Sequence, residues 1–240
     1  MKPLKPRTKL LFQILAAAIP VYFSVHLKFI DNRLVAVPLT ILWIVGVTNA
    51  FNLLDIMDGL AGGVAFTACL WFWLISALNG RYNDALTAAA LAGACLGFLR
   101  YNRPPARVFM GDAGSLFVGF TLACVAIGQG YSMNSNIGVI APILILGIPL
   151  FETFFVMAIR RQQGKPMMVG SPDHVPLRLV KMGYSRPRTV LMLCLAGAFL
   201  GALAFMVTRL NWERALLVSC AAGITAFLAA IRLAQVDMKS

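Results

Sequence analysis

Of the 240 residues, 60% are hydrophobic and 12% charged, and the formal net charge is +12. Soluble domains carry about 25% charged residues, so this composition excludes a water-soluble globule; lipid has to cover the apolar side chains. In a soluble chain the basic excess would point to nucleic acid, but here Lys and Arg lie between apolar runs, which points to membrane topology and anionic substrates, with no nucleic-acid partner.

A spanning helix needs about 20 mostly apolar residues. Eight such runs follow in order, near residues 10–29, 34–53, 59–79, 84–99, 113–131, 137–159, 189–208 and 213–233, the fourth being short. Nothing alternates with period two as a barrel strand would, and helices satisfy their own backbone hydrogen bonds in lipid. The expectation is an all-α, polytopic membrane helix bundle of about eight transmembrane helices, one domain over 1–240. With the N-terminus in the cytoplasm, sixteen Lys and Arg fall in cytoplasmic segments. Five fall outside: Lys28, Arg33, Arg81, Arg209 and Arg214. That bias places both termini in the cytoplasm. The N-terminal basic stretch has no small-residue cleavage site after it and is not read as a signal peptide. Gly59 to Gly63, Gly93 to Gly97 and Gly197 to Gly201 have the spacing of close helix contacts. They suit a compact bundle, specify no oligomer and leave a homodimer open. The five cysteines lie in apolar runs without metal spacing and read as small apolar residues.

Carboxylates are scarce, so their places are informative. Asn49, Asn52 and Asp55 recur every three residues and form one drifting stripe that reaches the cytoplasmic end of the second span. Asp58-Gly59 then opens the third. Ionisable groups at membrane depth are costly and usually functional; the plainer alternative is Asp58 as a helix cap and Asp55 solvated at the interface. Phe109-Met110-Gly111-Asp112-Ala113-Gly114-Ser115 precedes the fifth span. A Gly-rich turn there offers backbone N–H groups to an anion, and Asp112 offers a ligand to a divalent cation, or simply a cap. Glu152 lies inside the sixth span beside a break at Gly147 and Pro149. It should face the bundle interior as a structural hydrogen-bond acceptor. The loop after that span holds Ser171-Pro172-Asp173-His174 and many cations, mostly ordinary cytoplasmic charge. His174 beside Asp173 is the exception, a candidate acid, base or phosphate contact.

The ordered set Asn-x-x-Asn-x-x-Asp-x-x-Asp-Gly-Leu-Ala-Gly at 49–62, Phe-Met-Gly-Asp-x-Gly-Ser at 109–115 and Ser-Pro-Asp-His at 171–174 resembles the polyprenyl-phosphate N-acetylhexosamine-1-phosphate transferases. The resemblance covers most of the chain. It implies a multi-pass enzyme of the bacterial inner membrane with its active face in the cytoplasm. Its substrates would be a UDP-N-acetylhexosamine and polyprenyl phosphate, and its cofactor Mg²⁺, with Mn²⁺ as a substitute. It implies metal binding by Asp112, nucleotide or metal positioning by Asp55 and Asp58, and support from Asn49 and Asn52. Gly111 and Ser115 would shape the turn. His174 and Arg178 would match the first His and the Arg of a His-Ile-His-His-Arg-Leu motif near the diphosphate.

Two departures stand out. Pro176 and Leu177 replace the later histidines of that motif. Family members also carry three earlier helices ending in an adjacent Asp-Asp pair. Lys5-Pro6-Arg7-Thr8-Lys9-Leu10-Leu11-Phe12-Gln13 looks like the segment after that pair, so the chain is expected to begin just beyond it. The alternative to a transferase is an inactive remnant or a non-catalytic membrane subunit. A transporter is disfavoured because no internal repeat is evident and the carboxylates gather at one face.

Overall fold

The computed structural model describes residues 6–128, 139–164 and 173–238, and among these it is helical with no strands. The helices are α1 (Pro6–Tyr22), α2 (Arg33–Leu54), α3 (Leu60–Leu78), α4 (Tyr82–Asn102), α5 (Gly111–Gly128), α6 (Ala141–Ile145), α7 (Gly147–Gln162), α8 (Val175–Lys181), α9 (Arg186–Arg209) and α10 (Trp212–Ala234). Asn32 and Asn211 cap α2 and α10 by accepting backbone N–H bonds from Leu34 and Arg214, the ordinary remedy for orphan donors at a helix start.

Among the described residues, five helices are long and apolar enough to cross a membrane: α2, α3, α5, α9 and α10. The other three expected spans differ for visible reasons. The helix α1 has 17 residues. The helix α4 has 21, but it is alanine-rich and has polar residues at both ends. The sixth predicted span is broken at Leu146 into α6 and α7, because Pro149 has no N–H to donate to the Ile145 carbonyl. The end of the fifth predicted span and the start of the sixth lie outside the described residues.

Helix α3 is the centre of the bundle and packs against α4, α5, α6 and α9, while α2 packs against α1, α5 and α7. Phe51, Leu60, Val64, Phe72 and Leu122 are fully buried there. The rim of α9 and α10 exposes Leu191, Phe199, Leu217 and Phe227, the surface expected where lipid is the solvent. Glycine permits three close approaches. A Cβ on Gly119 would meet the α2 backbone at Thr48 at 2.9 Å, and one on Gly201 would overlap the Trp71 indole. Gly63 likewise faces Cys194, so two of the three spaced glycine pairs mark the α3–α9 contact. Gly93 and Gly97 do not: nothing lies within 4 Å of a Cβ built on either. Their spacing reflects the abundance of small residues in α4 rather than an interface among the described residues.

The helices bring the polar motifs to one end. Lys9, near the start of α1, meets Asn52 near the end of α2 and Asp112 at the start of α5. At the opposite end, the Leu27 amide donates to Thr40 Oγ1, and Arg81 pairs with Asp84 and donates to the Gly128 carbonyl.

Candidate active site

The stripe on α2 faces two helices, as its three-residue period requires. Asn49 exchanges hydrogen bonds with Gln13 of α1, donating at 2.8 Å and accepting at 3.0 Å. One turn on, Asn52 joins three elements. Its Oδ1 accepts from Lys9 Nζ at 2.7 Å, and its Nδ2 donates to Asp112 Oδ1 at 2.8 Å and Ser115 Oγ at 2.9 Å. Lys9 Nζ also lies 3.1 Å from Asp112 Oδ2. Ser115 is fully buried and donates to the Gly111 carbonyl at 2.9 Å, closing the first turn of α5. Gly111 has φ +61°, a left-handed conformation that glycine adopts without a Cβ penalty.

The cap readings of the two aspartates do not hold. Gly59, at φ +80°, is the N-cap of α3 and offers no side chain. Asp58 instead accepts from the Ala106 amide at 3.0 Å and ties the α2–α3 corner to the α4–α5 loop. Asp112 sits inside the first turn of α5, held by Asn52 and Lys9, with a side chain that is 72% exposed. Asp55 ends α2 and is half-buried. Desolvation pushes its carboxyl above the usual range; the Gly111 backbone amide pulls it down, and the charges of Asp112 and Asp58 push it up further. Asp55 therefore feels both of the other carboxylates, although they come from two separate corners of the chain.

Among the described residues, no three His, Cys, Asp or Glu side chains converge closely enough to form a closed metal cage. That is no obstacle to Mg²⁺, which commonly takes one or two carboxylates and completes its shell with water and substrate phosphates. The exposed Asp112 carboxylate and the mutual repulsion around Asp55 fit such an open site.

His174 and Arg178 form a second cluster of their own. Glu152 is 1% exposed and faces the interior, as expected. It accepts from His174 Nδ1 at 2.6 Å and from the Val175 amide at 3.0 Å, so it holds the start of α8. Arg178 is buried and paired with Asp173 at 3.1 Å. It donates to the Leu233 and Val236 carbonyls at 2.9 and 2.8 Å and lies over the Phe155 ring. A guanidinium engaged on so many sides ties down the end of α10. Ser171 and Pro172 of the loop motif lie outside the described residues.

The part Lys9 and Gln13 play in the site went unrecognised in the sequence, where Lys9 counted as cytoplasmic charge and both fell in the segment that looks like the one after the family's Asp-Asp pair. They are four residues apart on α1, hence on one face, but nothing local says that this face meets the Asn49–Asn52 stripe.

The glycosyl transferase family 4 model matches residues 1–129, which contain both the α2 stripe and the Asp112 turn. A Bacillus subtilis protein named as a probable undecaprenyl-phosphate N-acetylglucosaminyl 1-phosphate transferase is 36% identical over 180 residues, covering 73% of this chain and 50% of that protein. The phospho-N-acetylmuramoyl-pentapeptide-transferase of Chlamydia trachomatis is 42% identical over 118 residues, 44% of this chain and 35% of its own. That of Heliobacterium modesticaldum is 51% identical over 90 residues, 38% of this chain and 28% of its own. This chain is a multi-pass, all-α membrane protein that belongs to glycosyl transferase family 4. It spans half or less of the length of these relatives.

Proposed function

We propose that this chain carries out, at the cytoplasmic face of a bacterial inner membrane, the transfer of N-acetylhexosamine 1-phosphate from a UDP-sugar to polyprenyl phosphate. A lipid phosphate oxygen attacks the sugar-linked phosphorus, the bond from that phosphorus to the bridging oxygen breaks, and UMP leaves with the electron pair. The observation that carries this reading is the meeting of Lys9, Asn52, Asp112 and Ser115 from α1, α2 and α5, with Asp55 beside them.

Two anions have to approach each other, so the site must supply positive charge and fixed geometry. Bound Mg²⁺ would neutralise and align the phosphates, with Asp112 as its ligand and Asp55 assisting. Asn52 holds Asp112 through one oxygen and aligns Lys9 through its own amide oxygen, so one side chain orients both the carboxylate and the cation. Lys9 offers the ammonium that an incoming phosphate would meet once it leaves Asp112. Asp58 holds the α4–α5 loop through the Ala106 amide with one carboxylate oxygen. Asn49 fixes α1 through Gln13 and so places Lys9 one turn away. His174 is pinned by Glu152 and orients α8.

The test is UMP release by the protein in nanodiscs containing undecaprenyl phosphate, with UDP-N-acetylglucosamine and Mg²⁺, beside Asp112→Asn. Release that disappears in the variant supports the reading. No release from the folded protein would sink it for this chain and favour the non-catalytic alternative.

A further inference from the structure

Between the end of α4 and the start of α5 lies a cavity of about 320 Å³, lined by Arg100, Tyr101, Arg103, Pro104, Pro105 and Arg107. The carboxylate cluster makes no use of it. Three guanidinium groups within eight residues repel one another unless an anion comes between them. All nine Asp and Glu of the chain lie among the described residues, and none forms an ion pair with any of the three.

The loop that presents them is stitched in place. The Tyr101 carbonyl accepts from the Arg107 and Val108 amides at 2.8 and 3.4 Å, and the Leu99 carbonyl accepts from the Arg103 amide at 3.0 Å. Asn102, 4% exposed, accepts from the Gly59 amide and donates to the Val108 carbonyl, each at 2.8 Å. Asp58 holds the Ala106 amide. These bonds occupy two of the carbonyls at the negative end of α4, where free acceptors would oppose an anion.

A phosphate suits guanidinium groups that line one cavity because it accepts paired N–H bonds. It could belong to a lipid headgroup or to a soluble phosphate, and the surroundings favour the lipid. Arg100 stands in the last turn of α4. Tyr101, Val108 and Phe109 beside the cavity are 55%, 47% and 73% exposed. Aromatic and apolar side chains next to cations, at the level where membrane helices end, are the signature of a headgroup contact. We propose that this arginine-lined cavity binds the phosphate headgroup of an anionic membrane lipid, separately from the carboxylate cluster.

The full chain would be purified and its bound lipid measured by native mass spectrometry after exchange into phosphatidylglycerol or phosphatidylcholine. Each basic side chain at an anionic surface strengthens binding by about fivefold, so R100Q/R103Q/R107Q is expected to weaken phosphatidylglycerol binding by about a hundredfold. R161Q/R186Q/R188Q, which removes the same charge elsewhere, should leave it within a few fold. Equal loss in both triple variants, or none in the first, overturns the proposal. Titrations with UDP and inorganic phosphate separate the sources. If the first variant loses affinity for either while keeping its lipid selectivity, the cavity serves a soluble phosphate and the proposal fails. If the triple variant does not fold, the single variants decide: a graded loss of about fivefold each supports the lipid site, and no loss in any refutes it.

Discussion

Glu152→Ala tests the joint between α7 and α8 without any assumption about activity. The carboxylate accepts from the His174 ring at 2.6 Å and the Val175 amide at 3.0 Å, and Glu152 and His174 are 1% and 6% exposed. Truncation strands two buried donors. Each such group costs about 1–3 kcal/mol, so the two together cost about 2–6 kcal/mol. At about 2–4 °C per kcal/mol for a chain of this size, the melting temperature should fall by about 10 °C. Glu152→Gln keeps an oxygen for the Val175 amide and should lose less than half as much. The assay is thermal denaturation in detergent followed by tryptophan fluorescence or static light scattering. A Glu152→Ala protein melting within 2 °C of the parent would refute the claim that this carboxylate anchors α8, whatever the enzyme does.

Three further outcomes follow from the same geometry. Asn52→Ala releases Lys9, Asp112 and Ser115 together; outer partners of a metal-ligating group typically contribute 10–100-fold, so UMP release should fall by about that factor and half-saturation by Mg²⁺ should rise. An Asn52→Ala protein within twofold of the parent on both counts would remove Asn52 from the site. Arg178→Met should fray the end of α10, seen as faster amide hydrogen exchange over residues 233–238 with little change in α3, because the Leu233 and Val236 carbonyls lose their donor. Gly201→Leu should be poorly tolerated, since the added side chain overlaps Trp71 where α3 meets α9; Gly97→Leu, in open space, should melt within about 2 °C of the parent.

Low charge and long apolar runs were enough to read a membrane bundle, because hydropathy acts residue by residue and needs no partner. The three-residue spacing of Asn49, Asn52 and Asp55 showed in the same way that one helical face was polar, and the isolated Glu152 that it had to point inward. Which element each face meets was not local information. Lys9 is 43 residues from Asn52 and 103 from Asp112, and only the packing of α1 and α5 on α2 makes it part of the site. The same packing turned Asp58 from a helix cap into a loop anchor and gave Arg178 to the end of α10. A side chain's chemistry can be read from the sequence; its partner depends on contacts between segments far apart in the chain, which the tertiary structure alone decides.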